Sequence, residues 1–175
     1  MRRAVIATVV FILISLALPR DAHAQLAAAP SPEIAESILP RPLLTRMLRS
    51  SGQVFSGTVL NVAHANSTSS SSLATTSIRL RVDEPIRGVH KGQVLEIKEW
   101  AGLWQAGERY RTGERVLLFL YPPSKLGLTS PVGGKAGRYA VDSAGRVLVG
   151  SPQTIGVRPV PLRTVKAQIL KAVKE

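Results

Sequence analysis

The chain has 175 residues, with 23 Lys and Arg against 11 Asp and Glu, a net charge of +12 and no cysteine. Disulfides, thiolate metal sites and a lipid-modified cysteine are thereby excluded, so packing alone must hold the fold. The positive charge favours polyanions, acidic headgroups or acidic proteins as partners.

Arg2 and Arg3 precede an apolar run, Ala4 to Leu18, and Ala22-His23-Ala24 supplies the small residues of a signal-peptidase site. The run is interrupted by Pro19, Arg20 and Asp21 before it reaches the roughly 20 residues of a membrane span. Residues 1–24 are therefore expected to be a signal peptide, and the product, beginning at Gln25, to be secreted or periplasmic with no transmembrane span. Losing Arg2, Arg3, Arg20 and Asp21 with that segment takes the net charge from +12 to +10. An exported basic protein meets proteins and anionic envelope polymers, so these are the expected partners; nucleic acid is not expected.

Residues 25–52 read as a flexible lead-in with short helical turns. Ser31-Pro32-Glu33 has the residues of a helix start, Pro40 and Pro42 limit that helix, and a second turn over Leu43–Leu48 can pack by Leu43, Leu44, Met47 and Leu48. From Gln53 the period becomes that of strands. Val54 to Ala63 is rich in β-branched residues, and Gly57 marks a bulge. Thr76 to Asp83 alternates, with Ile78, Leu80 and Val82 facing inward and Arg79 and Arg81 outward. His64 to Thr75 between them is a serine-rich loop. Val94 to Trp100 is a third strand, and Val116 to Tyr121, apolar throughout, is a strand buried on both faces and stopped by Pro122-Pro123. Arg138 to Val141 and Arg146 to Val149 flank the hairpin turn Asp142-Ser143-Ala144-Gly145. Between strands, residues 101–114 carry three glycines and are expected to be a loop. Residues 151–175 are read as a linker and a C-terminal amphipathic helix opened by Pro161, with Leu162, Val165, Ile169 and Val173 on one stripe. That helix can bind a membrane surface, but docking over the open end of the domain is the expectation. The fold class expected is mainly β: residues 53–150 form a small antiparallel barrel of five or six strands, with short N-terminal helices and the C-terminal helix.

Gly57-Thr58-Val59, the strand Ile78–Val82, the turn Ile86-Arg87-Gly88-Val89-His90-Lys91-Gly92 and the run Gly113–Tyr121 together resemble the netrin-like, tissue-inhibitor-of-metalloproteinase-like OB barrels of exported bacterial proteins. The resemblance covers about residues 53–142 and implies an OB-like barrel. Those inhibitors place an N-terminal cysteine on the protease zinc, a mechanism that a chain without cysteine does not share. The helix usual between the third and fourth strands of the fold is replaced here by the glycine-bearing loop.

Beyond the signal segment the histidines are His64 and His90, in separate predicted loops, which does not make a metal site; no metal, cofactor or catalytic residue is assigned. Glu96, Glu99, Glu108 and Glu114 surround the 100–113 loop, and paired carboxylates near aromatic walls suit glycoside hydrolysis. Interleaved Lys98, Arg109, Arg111 and Arg115 instead make these glutamates members of surface ion pairs. Two segments stand out as binding surfaces. One holds Trp100, Trp104 and Tyr110, aromatic anchors for an interface or plugs for the barrel. The other is the loop from Ser124 to Arg138, where Lys125, Lys135 and Arg138 flank backbone N–H groups that can form an anion nest. These three cations are expected to be exposed and to matter little for stability. The function expected is non-enzymatic binding of a protein or anionic envelope partner, with an accessory or inhibitor of a secreted hydrolase, or a glycoside hydrolase, as alternatives.

Overall fold

The computed structural model describes residues 38–65, 73–105, 110–150 and 156–174. The expected signal peptide, the helix start at Ser31, most of the serine-rich loop, Glu108 and the Trp104 side chain lie outside the described residues. Among the described residues no helix is long and apolar enough to cross a membrane.

The turn expected at Leu43–Leu48 belongs to a longer helix, α1 (Arg41–Ser50). Pro42 sits in its first turn, where a missing N–H costs nothing. Leu44, Met47 and Leu48 are buried, and Leu43 is half-buried. Carbonyls left open at the C-terminal end take side-chain donors: Ser51 Oγ donates to Met47 O at 2.6 Å and Arg87 Nη1 to Leu48 O at 2.7 Å.

Seven antiparallel strands follow: β1 (Gln53–Ala65), β2 (Thr75–Arg87), β3 (Val94–Trp100), β4 (Arg115–Leu120), β5 (Arg138–Val141), β6 (Arg146–Gly150) and β7 (Val157–Pro161). They form one sheet in the order β3-β2-β1-β4-β5-β6-β7. The pairing of β1 with β2 slips at three places, one of them between Ser56 and Gly57, as the sequence predicts. A Cβ on Gly57 would stand 2.6 Å from Arg81 O, so glycine permits the strands to close up where the sheet coils. The coiled sheet also receives the segment after β4. Thr129 N–H donates to Lys98 O on β3 at 2.8 Å, and Val132 N–H donates to Phe119 O on β4 at 2.8 Å.

Side-chain alternation along β4 feeds two cores. Val116, Leu118 and Leu120 join Phe55, Val59, Ile78, Leu80, Val82 and Ile97 in one cluster. Leu117 and Phe119 face the other way and join Leu44, Met47, Val165 and Ile169 under the helices. The strand is thus buried on both faces, as its continuous apolar run implies.

Two elements depart from expectation. A four-residue helical turn, α2 (Gly102–Gln105), interrupts the predicted loop. The region read as a linker contains β7, an edge strand in which Pro159 and Pro161 alternate; proline is tolerated where no neighbour asks for the N–H. The final helix, α3 (Leu162–Lys174), docks through Val165 and Ile169, but against α1, β6 and β7. Gln168 on α3 ties down the segment just before α1, donating from Nε2 to Leu39 O at 2.9 Å.

Candidate binding surface

Alternation on β3 puts Val94, Glu96, Lys98 and Trp100 on the solvent face. Trp100 is 52% exposed. Its ring lies against the backbone of Gly102: a Cβ there would be 2.4–2.6 Å from three atoms of the indole's six-membered ring. The glycine thus seats an aromatic that faces water. Lys98 shares that face, opposite Ser77, and Arg79 stands opposite Glu96.

The second predicted segment adjoins this face. Its first part is a compact turn in which Ser124 N–H donates to Leu128 O, Gly127 N–H to Ser124 O, and Leu128 N–H to Ser124 Oγ at 3.2 Å. Lys125 and Leu126 project from it, and Leu126 is 72% exposed. Leu128 then bridges Lys98, held by the Thr129–Lys98 hydrogen bond, so two segments distant in sequence meet along the edge of β3. An anion nest does not form from the N–H groups of Gly127, Leu128, Gly134 and Ala136, because these donate within the loop. Lys135 is exposed on the 3-10 turn Gly134–Gly137.

Tyr110 is buried and Arg138 is partly buried. Tyr110 is 3% exposed and packs in the cluster of Phe55, Ile78, Leu80 and Leu118. Its hydroxyl donates to Oε1 of Glu99 at 3.0 Å, and Glu99, expected in a surface ion pair, is fully buried. The guanidinium of Arg138 lies 4.3 Å from the Tyr110 ring centroid and donates from Nη2 to both carboxylate oxygens of Glu114, at 2.8 and 3.0 Å. On the far side of Glu99 stands buried Thr76, its partner on β2, whose Oγ1 is 3.1 Å from His64 Nδ1 on β1. One polar row therefore crosses the sheet: Thr76, Glu99 and Tyr110 are buried at its centre, partly buried Arg138 and Glu114 continue it on one side, and exposed His64 ends it on the other. Sequence reasoning missed it, although the signal was present. Glu99 is in phase with Leu95 and Ile97, and Thr76 with Ile78 and Leu80, on inward positions, whereas His64, in phase with Val62, reaches the exposed end of β1.

Burial raises the Tyr139 hydroxyl above its ordinary value. The Arg146 backbone N–H, with its guanidinium, holds the Asp142 carboxyl below the usual aspartate range. Among the described residues no three His, Asp or Glu side chains gather as a metal site. The chain matches no family model, no curated protein and no solved structure.

Proposed function

We propose that this protein is an exported, non-enzymatic binding module whose partner is an anionic envelope polymer or a protein with an acidic face. The observation that carries the reading is the Thr129–Lys98 hydrogen bond, which joins the tryptophan-bearing strand to the Lys125 turn and makes one exposed surface of Lys98, Trp100, Lys125 and Leu126. A seated indole beside two cations suits a ligand with flat or apolar elements and negative charge. The isolated bridges Lys98–Leu128 and Leu120–Pro131, which link β3 and β4 through the segment after β4, support the OB-like barrel that the sequence resemblance implies.

Binding is favoured over glycoside hydrolysis by the uses to which the glutamates are put. Glu99 is enclosed and takes the Tyr110 hydroxyl; Glu114 takes the Arg138 guanidinium. A hydrolase needs two carboxylates facing a substrate cleft.

Export rests on residues 1–24, and the intact mass of the released protein tests it: the expected product begins at Gln25. For binding, the parent is compared with Lys98→Gln/Lys125→Gln and Trp100→Ala on immobilised acidic polysaccharide and in capture from culture supernatant. Both variants should bind weakly and melt like the parent, since exposed single charges contribute under about 1 kcal/mol to folding. Parent binding should fall as ionic strength rises and the screening length shortens to about 8 Å. Capture of a secreted hydrolase would select the accessory or inhibitor role. Equal binding by parent and both variants at every salt concentration would dismiss the surface.

A further inference from the structure

The helical layer carries a separate feature. Neither α1 nor α3 contains an acidic residue, while Arg41, Arg46, Arg49, Arg163, Lys171 and Lys174 are all exposed. Among the described residues, none of these six cations takes part in an ion pair; Lys166 alone on these helices does, with Glu84. Both helices bury their apolar stripes in one core, so their opposite faces point away from the sheet. On α3 the outward stripe is Arg163, Ala167, Leu170, Lys171 and Lys174, spaced as residues on one helix face. Leu170, within that stripe, is 40% exposed, and Val173 on its flank is 54% exposed.

We infer that the α1/α3 face is a peripheral attachment surface for a lipid bilayer bearing anionic headgroups. Exposed cations on two helices that, among the described residues, contain no Asp or Glu complement the negative potential of such a leaflet. Apolar side chains set between the cations are what distinguishes this surface from one built for a soluble polyanion, because they gain only where an acyl boundary lies behind the charge. The helices need not leave the core for this contact. Val165 and Ile169 stay buried, and the protein lies on the membrane as a folded body, with Lys98 and Trp100 on other elements. The inference goes beyond the binding reading above and uses none of its residues.

The test is flotation with phosphatidylcholine vesicles, with and without added phosphatidylglycerol. Residues 34–175 form one compact unit, so a chain beginning at Gln25 keeps the described domain and removes the apolar leader from the assay. The parent should float with the phosphatidylglycerol vesicles only. Arg163→Gln/Lys171→Gln/Lys174→Gln should weaken partitioning by about a hundredfold, each cation at an anionic surface contributing on the order of fivefold. Leu170→Ser/Val173→Ser should weaken it severalfold with all charges in place, and both variants should keep the parent's melting temperature. Competition with soluble polyphosphate provides the second arm. Equal flotation of the triple variant would overturn the inference, as would full displacement by polyphosphate together with no effect of the serine pair, which would make the face a polyanion site. A triple variant that fails to fold leaves the serine pair to decide: undiminished flotation by that pair overturns the bilayer assignment.

Discussion

Arg138→Gln separates the two roles that a cation near the glycine-rich loop can have. As a solvent-exposed charge, its loss would shift stability by no more than about 0.5 kcal/mol. The structure gives it a different place, with its side chain 17% exposed, both Glu114 oxygens on one nitrogen, and its guanidinium over the Tyr110 ring. A charge-assisted contact of this burial contributes about 1.5–2 kcal/mol, and the stacking on tyrosine about 0.5–1 kcal/mol, or about 2–3 kcal/mol together. For a domain of this size roughly 4 °C of melting temperature accompanies each kcal/mol, so Arg138→Gln should melt about 8–12 °C below the parent. Lys125→Gln and Lys135→Gln should each melt within about 2 °C of it. Thermal unfolding by circular dichroism reads all three, and Glu114→Gln completes a double-mutant cycle whose coupling should exceed about 0.5 kcal/mol. An Arg138→Gln protein that melts with the two lysine variants would refute the partly buried, ion-paired place of Arg138.

Other expected outcomes follow from single contacts. Leu118 is fully buried on the central strand, so Leu118→Ala should lose about 2–5 kcal/mol in a denaturant titration, and Leu118→Asp should leave no cooperative transition. Gly102→Ala must push the Trp100 ring aside; because the ring is a solvent-facing side chain, the melt should hold while the tryptophan emission shifts and ligand binding weakens. An unchanged spectrum would mean that the indole is not seated there. The Asp142 carboxyl is held low by Arg146, so its stabilising contribution is complete above the unfolded pKa, near 4, and disappears as pH falls through the lower folded value. The melting difference between parent and Asp142→Asn should therefore be present near neutral pH and vanish in strong acid; a constant difference would argue against the carboxylate's role.

What the sequence made legible was periodicity with one clear reading. The doubled apolar run of β4, the alternation of β2 and the hairpin around Asp142 were all set by local pattern. Positions where two patterns compete were harder. In β3 the acidic character of Glu99 suggested a surface ion pair, while its phase with Leu95 and Ile97 placed it inside, and the phase prevailed because Tyr110 supplies a hydroxyl to meet it. β7 was hidden by its prolines, which read as linker until the neighbouring β6 gives them an edge to occupy. The meeting of the Lys125 turn with β3 depends on backbone hydrogen bonds between segments far apart in the chain, which no local pattern encodes.

The prolines of β7 also restrict how this protein can associate. A strand at the margin of a sheet ordinarily offers a ladder of N–H and C=O groups to any extended chain that drifts alongside. Here two of the five residues in that strand have no N–H to give. Copies crowded side by side on a common support would lack a continuous ladder through which to zip together along that margin, and an extended peptide could not be recruited there as an eighth strand. Concentration on a surface can then rise without the fibrous assembly that a sheet of this length would otherwise invite.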